Sequence, residues 1–118
     1  MGAGYLLPRI VGLGRAFELL LLGDTIDAPT AERYGLVNRV VPHDEVMSTT
    51  MGWARRLAAG PTQALAMTKR MLNNELGMDL VSAIEAEAQA QALLLLGDDH
   101  RAFYDSFTTK QKPTFTGR

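Results

Sequence analysis

The residues of this sequence that could do chemistry are few, and the most suggestive group lies near its C-terminal end. Lys110 and Lys112 stand between Phe107 and Phe115. Two ammonium groups beside aromatic rings could together bind a phosphate and a flat base. A solvated basic terminus is the simpler interpretation of the same residues, and residue chemistry alone favours it.

The other titratable candidates are explained by helix structure. His43 and His100 both fall at predicted helix starts among carboxylates, where the sequence indicates neither a partner nor a pocket for a general base. Glu85 and Glu87 are two residues apart, so on a helix they face different directions and cannot form a carboxylate pair. Exposed first-turn histidines and no carboxylate pair are therefore expected.

Neither a metal site nor a nucleophile is indicated. Asp98 and Asp99 with His100 could bind a metal, but capping and the helix dipole already explain two acids at a helix start. Three serines lie within helical patterns and lack the elbow motif of a nucleophile: Ser48, Ser82 and Ser106. Composition and spacing thus predict no catalytic centre within this chain.

Two glycine pairs near the N-terminus look like the start of a phosphate-binding loop. Gly2 and Gly4 are separated by one residue, as are Gly12 and Gly14. Neither pair follows a predicted strand, and neither continues into the GxGxxG or GxxxxGKS pattern. Glycines that end or begin helices are the better interpretation.

Composition places the chain among globular proteins with one modest core. It has 118 residues, of which 47% are hydrophobic and 21% charged, with a net charge of −1 and no cysteine. The charge gives no reason to expect a nucleic-acid partner, and the lack of cysteine fits a cytoplasmic location. The apolar runs Leu19–Leu22 and Leu93–Leu96 are far shorter than the roughly 20 residues of a membrane-spanning helix, so no membrane association is expected.

The elements that position these residues are predicted to be mostly helical. Apolar residues recur at helical spacing in successive segments that glycine, proline or aspartate delimit. This pattern predicts helices over residues 2–12, 13–23, 27–35, 43–59, 61–76, 79–96 and 98–109.

The segment from Asp27 to Pro42 predicts a helix followed by a strand. Asp27 is the expected N-cap, Pro29 lies in the first turn, and Gly35 is the expected left-handed residue that ends the helix. The apolar residues that follow predict a short β-strand over residues 36–41. A lone strand has no pairing partner, which suggests that part of the fold is missing.

The ordered segments of this chain resemble the C-terminal portion of the crotonase superfamily, the enoyl-CoA hydratases and isomerases. The resemblance rests on four segments in this order: YLLPRIVG (5–12), GRAFELLLLGD (14–24), AERYGLVNRVVP (31–42) and KPTFTGR (112–118). It implies a mainly α chain with one short β-strand, namely the helical trimerisation part of the crotonase fold with the repeated ββα spiral largely absent. Residues 1–42 are then the end of the core, and residues 43–118 the C-terminal oligomerisation region with a tail close to coenzyme A.

The resemblance also implies a function. The chain would be a fragment of an acyl-CoA enzyme, in the first place an enoyl-CoA hydratase, which adds water reversibly to 2-trans-enoyl-CoA. The alternatives are an isomerase or another member of the superfamily as the parent, and a catalytically silent helical oligomerisation module. The oxyanion hole and the glutamates of the family map before Met1, so no residue of this chain receives a catalytic role. Acyl-CoA is the substrate, and no cofactor or metal is implied.

Four residues receive binding roles from the resemblance. Phe107 and Lys110 fall on positions that reach coenzyme A, and Gly2 and Gly4 on a turn at the rim of the acyl pocket. The tail departs from the family pattern at Gln111, where arginine is common. The implied partners are acyl-CoA in the full-length parent and further copies of the chain, as a trimer, hexamer or swapped dimer.

Overall fold

The structure, a computed structural model, describes all 118 residues, and its regular secondary structure is entirely helical. The seven α-helices are α1 (Ala3–Val11), α2 (Leu13–Phe17), α3 (Ala28–Tyr34), α4 (Val46–Ala58), α5 (Thr62–Glu75), α6 (Leu80–Leu95) and α7 (Asp98–Thr109). A π-helical turn, Glu18–Leu22, follows α2, and a 3₁₀ turn, His43–Glu45, precedes α4. Contacts between residues divide the chain into two compact units, Met1–Val46 and Met47–Arg118.

The helix boundaries confirm the capping residues that the sequence predicted in the N-terminal unit. The Asp27 carboxylate accepts a hydrogen bond from the backbone N–H of Thr30 at 2.9 Å and so caps α3. At the other end, Gly35 adopts a left-handed conformation with φ 79°. The N–H groups of Gly35 and Leu36 donate to the carbonyls of Glu32 and Ala31, each at 2.9 Å. These two bonds form a Schellman motif, which requires a residue of positive φ and therefore favours glycine.

The predicted β-strand over residues 36–41 is wrong. Residues 36–38 form bends and residues 39–41 have no regular secondary structure, with no strand pairing. The Glu32 side chain provides the reason, because its Oε1 accepts the backbone N–H of Val40 at 2.9 Å. The segment therefore folds back onto α3 through a side chain, and apolar residues of extended preference form no ladder where no second strand is available.

The C-terminal unit consists of helices packed side by side. Helix α6 contacts both α5 and α7. The Asp79 carboxylate caps α6 by accepting the Ser82 hydroxyl at 2.6 Å and the Ser82 backbone N–H at 3.0 Å. These bonds lower the pKa of Asp79, the hydroxyl contributing most. The stabilisation is therefore complete above the ordinary value of 3.8 and is lost as the pH falls below it through the lower folded value.

Few apolar side chains are buried in either unit. Val11, Ala16 and Ala90 are buried, whereas no large side chain is fully enclosed. Leu80, Leu93 and Leu96 of the α6 region expose 74%, 64% and 85% of their surface. The total accessible area is 9610 Å², whereas two compact bodies of these sizes would together expose about 7,600 Å². The helices thus present much of their apolar surface without cover.

No helix combines the length and the apolar character needed to cross a lipid bilayer.

The Schellman motif at Gly35 leads to a stability prediction. Gly35→Ala forces an L-residue into the left-handed region, so we expect a loss of about 1–2 kcal/mol in the free energy of unfolding. Gly14→Ala is the matched control, because Gly14 lies inside α2 with open space around its Cβ position. There alanine should raise the free energy of unfolding by roughly 0.5–1 kcal/mol. Urea unfolding followed by circular dichroism measures both, and an equal response of the two variants would contradict the assignment.

Candidate functional site

The C-terminal end of α7 presents an aromatic ring and an ammonium group to solvent. The Phe103 and Phe107 rings meet edge to face, with centroids 5.0 Å apart and an interplanar angle of 89°. Phe107 still exposes 69% of its surface. Lys110 ends the helix in a left-handed conformation, φ 55°, and is exposed. A ring and a cation that could contact a base and a phosphate therefore lie within one helical turn of each other.

The backbone at Lys110 is strained relative to ordinary residues. It is the only residue other than glycine with a positive φ in this chain. A left-handed conformation costs an L-residue roughly 1–2 kcal/mol, and such residues persist where surrounding contacts fix them. The residues that follow Lys110 supply such contacts.

The tail after Lys110 returns to the start of α7, where Asp99 holds it. The Asp99 carboxylate is buried and accepts the backbone N–H groups of Thr116 at 2.6 Å and Gly117 at 3.0 Å. In the reverse direction, the backbone N–H of Asp99 donates to the carbonyl of Arg118 at 2.9 Å. We call this set of three backbone hydrogen bonds the Asp99 clasp. Its carboxylate bonds are charge-assisted, which makes them stronger than bonds between neutral groups.

A groove of about 390 Å³ lies beside the clasp in the C-terminal unit. The last turn of α6, the Phe103 ring of α7 and the returning tail form its apolar wall, and side chains of α5, α6, α7 and the tail add polar groups. The residues that line it include Ala64, Leu94, Leu95, Phe103 and Phe115, with Gln63, Gln91, Asp99, His100 and Arg118 as the polar members. Phe115, one of the aromatic residues singled out in the tail, therefore faces this groove, while Lys112 is exposed.

The predicted glycine turn lies in the N-terminal unit. Gly2 is the N-cap of α1 with φ 101°, and Gly4 belongs to the first turn of the helix. Both are exposed, and a Cβ atom at Gly4 would have no neighbour within 4 Å. The backbone around Gly4 is therefore open to a ligand or to another segment of protein.

The histidines, glutamates and serine that were predicted to have no catalytic role lie on helices, where they are exposed or bonded within the helix. His43 and His100 are exposed in the first turn of a 3₁₀ and an α-helix, which confirms that prediction. Glu85 and Glu87 are exposed on α6. The Ser106 hydroxyl donates to the Phe103 carbonyl at 2.5 Å, so this serine satisfies its hydrogen bond within the helix. No three His, Cys, Asp or Glu side chains come together as a metal-binding group would require.

The role of Asp99 does not follow from the sequence. Asp98 and Asp99 are predicted as a pair of acids that opens a helix, whereas in the structure Asp98 is exposed and Asp99 is buried against the tail. The partners of Asp99 are backbone groups 17 and 18 residues away. Because backbone donors carry no side-chain signature, no sequence pattern marks this contact.

Comparison with known proteins assigns the chain to a family. The sequence pattern of the enoyl-CoA hydratase/isomerase family matches residues 1–118, which is the whole chain. The chain belongs to the enoyl-CoA hydratase/isomerase family. This confirms the resemblance found in the sequence.

Both sequence and structure relatives are much longer than this member of the family. The chain is 33% identical over 117 residues to 1,2-epoxyphenylacetyl-CoA isomerase of Escherichia coli K12, which covers 99% of this chain and 45% of that enzyme. A Streptomyces coelicolor A3(2) structure assigned to the enoyl-CoA hydratases superposes with a TM-score of 0.96 at 49% identity, covering 99% of this chain and 42% of that one. Enoyl-CoA hydratase from Bacillus anthracis gives a TM-score of 0.95 at 31% identity, covering 99% and 45%. The chain therefore spans less than half the length of these relatives.

Proposed function

We propose that this chain is the C-terminal helical part of an acyl-CoA enzyme that adds water reversibly to 2-trans-enoyl-CoA. The observation that carries the proposal is the family match over all of residues 1–118 at less than half the length of the relatives. Hydratase is proposed first because enoyl-CoA hydratase from Bacillus anthracis superposes on 99% of the chain, and isomerase is the alternative because the Escherichia coli relative has that activity in its name. The chain would lie in the cytoplasm. The enzyme would need no cofactor, because acyl-CoA is itself the substrate.

In this proposal the end of α7 binds the coenzyme A part of the substrate. Lys110 places an exposed ammonium group where it can meet a phosphate, and the exposed face of Phe107 can contact a flat base. Lys112 adds a second positive charge two residues on. Gly2 and Gly4 form the rim of the acyl pocket, where the open backbone at Gly4 leaves room for a ligand.

The chemical step belongs to residues outside this chain. Hydration of an enoyl thioester requires donors that stabilise the oxyanion and carboxylates that move the protons of water. Among the carboxylates of residues 1–118, Glu85 and Glu87 face solvent, and the buried Asp99 is occupied by the tail. The chain then contributes substrate binding and assembly rather than proton transfer.

A second candidate function, a helical assembly module without catalysis, is favoured by the exposed apolar surface. Large apolar side chains are uncovered in both units, as Leu21 at 76% and Leu80 at 74% illustrate. Exposed apolar surface of this kind in soluble proteins commonly marks an interface. The two functions are compatible, because one describes the parent enzyme and the other describes this chain.

The first prediction is that the purified 118-residue chain does not hydrate crotonyl-CoA. Without an oxyanion hole and paired carboxylates, the terms that provide most of the rate enhancement are missing. The loss of crotonyl-CoA absorbance in the presence of pure chain measures the reaction. Turnover at ordinary enzyme rates that survives repurification would show that catalytic residues lie within this chain.

The second prediction concerns Lys110. Lys110→Ala should weaken binding of coenzyme A to the chain by about twofold to fivefold at low salt, because one exposed ion pair contributes up to about 1 kcal/mol. The difference should shrink in high salt, which screens exposed charges. Isothermal titration at two ionic strengths measures it.

Lys69→Ala is the matched control for Lys110→Ala, because it removes the same charge from an exposed position on α5. Equal effects of the two substitutions would reduce the role of Lys110 to net charge and would contradict the proposed contact.

The third prediction is self-association of the chain as a trimer, hexamer or swapped dimer. The exposed apolar residues need cover, and the irregular segment 36–41 has backbone groups that another copy could pair with. Multi-angle light scattering across a dilution series gives the mass of the species. A folded monomer that persists at high concentration would overturn this prediction.

A further inference from the structure

We propose that Asp99 is a positioning residue for the coenzyme A contact, because the Asp99 clasp fixes the path of the tail that carries Lys110 and Lys112. This inference rests on the proposed function, in which the end of α7 meets coenzyme A. It adds a residue that touches no ligand and acts through the tail.

The length of the tail makes the clasp effective over a distance. Asp99 and Lys110 lie at opposite ends of α7, about 16 Å apart at the helical rise of 1.5 Å per residue. The return from Lys110 to Thr116 has six residue steps, which span at most about 20 Å when extended. The tail therefore has little slack once Thr116 and Gly117 are bound by the Asp99 carboxylate. Holding its end leaves few conformations for Lys110 and Lys112.

The end of the tail is held by packing as well as by the hydrogen bonds of the clasp. Gly117 has φ 81°, and a Cβ atom there would lie 3.6 Å from Thr62 at the start of α5. A Cβ atom at Gly97 would meet the backbone of Arg118 at 3.5 Å. Phe115 is half-buried and lines the groove beside Phe103. The tail thus packs against the starts of α5 and α7, and its path is defined at both ends.

The strained conformation of Lys110 is a second sign that the tail is held. Lysine has no intrinsic reason to adopt φ 55°. A left-handed residue at the end of a helix reverses the direction of the chain, and the short return path to Asp99 requires that reversal at the end of α7. The clasp and the turn at Lys110 are therefore two parts of one constraint.

A positioning role of Asp99 and a purely electrostatic role predict opposite effects of Asp99→Asn on coenzyme A binding. Asp99→Asn removes one negative charge, so if charge alone mattered, it would strengthen the binding of the anionic coenzyme A. Loss of the clasp has the opposite effect, because the freed tail must be ordered again on binding. Asp98→Asn makes the same charge change at an exposed neighbour outside the clasp and measures the electrostatic part.

The experiment uses the 118-residue chain with coenzyme A as the probe. Asp99→Asn should weaken binding about threefold or more relative to Asp98→Asn, with the salt dependence of Asp98→Asn, since the two variants have the same net charge and both keep the Lys110 ammonium group. Lys110→Ala should instead reduce the salt dependence. The amide resonances of Lys110 and Lys112 should shift in Asp99→Asn and stay in place in Asp98→Asn, and amide exchange at Thr116 and Gly117 should accelerate.

Gly117→Ala is a second variant, for the case in which Asp99→Asn unfolds the first turn of α7. It disturbs the clasp from the tail, because alanine disfavours φ 81°, and it changes no residue of α7. It should reproduce the shifts at Lys110 and the weaker binding. Two results would overturn the positioning role alone. One is that the Lys110 resonances stay unchanged in both Asp99→Asn and Gly117→Ala. The other is that Lys110→Ala weakens coenzyme A binding while Asp99→Asn and Gly117→Ala do not. Absence of coenzyme A binding to wild type would overturn the proposed contact, and the positioning role with it.

Discussion

Stable short helices in water depend on burying an apolar face, and this constraint governs every element of the chain. The helices are short, from the five residues of α2 to the sixteen of α6, and isolated helices of such lengths are marginal. Asp27 and Asp79 cap the starts of α3 and α6, and Gly35 ends α3, but the apolar faces of the helices are largely uncovered. Helix α6 carries apolar residues on more than one side, as helices that are covered all round do. The need for further cover therefore follows from the packing as well as from the family.

Both units use a carboxylate to hold a segment that folds back on its own helix. Glu32 on α3 accepts the N–H of Val40, and Asp99 on α7 accepts those of Thr116 and Gly117. In each case the donors are backbone groups of an irregular segment that would otherwise lack a partner. A side chain thus replaces the strand pairing or helix that usually satisfies such groups. The two returning segments are the parts of the chain with the least regular structure, and these bonds fix their paths.

Membership of the enoyl-CoA hydratase/isomerase family gives these features a common interpretation. The chain spans less than half of its relatives, yet superposes on them over 99% of its own length. A part that keeps its fold this closely while exposing its apolar faces is suited to packing against other protein. Under the proposed function, the tail of α7 then serves two purposes. Its ring and ammonium groups face the ligand, and its far end closes one wall of the groove beside α6.

The sequence by itself determined the helices and most of their ends, because capping is a local matter. The residues that begin or end helices act on backbone groups only a few residues away. This holds for Asp27, Gly35 and Asp79, whose positions at helix ends were predicted correctly. The ordered segments also determined the family. The positions of Phe107 and Lys110 at the end of α7 follow from helical periodicity, whereas their contact with coenzyme A was taken from the resemblance and is a proposal.

Only the tertiary structure decided what residues 36–41 and Asp99 do. Apolar residues with extended preference predicted a strand, but a strand forms only where a partner exists, and the Glu32 side chain took the backbone donor instead. Asp99 looked like a second helix-opening acid, but the return of the tail buried it and left Asp98 exposed. In both cases the deciding partner is a backbone N–H distant in sequence. Every residue except proline carries that group, so residue types cannot reveal which carboxylate it will meet, and the folded path of the chain decides.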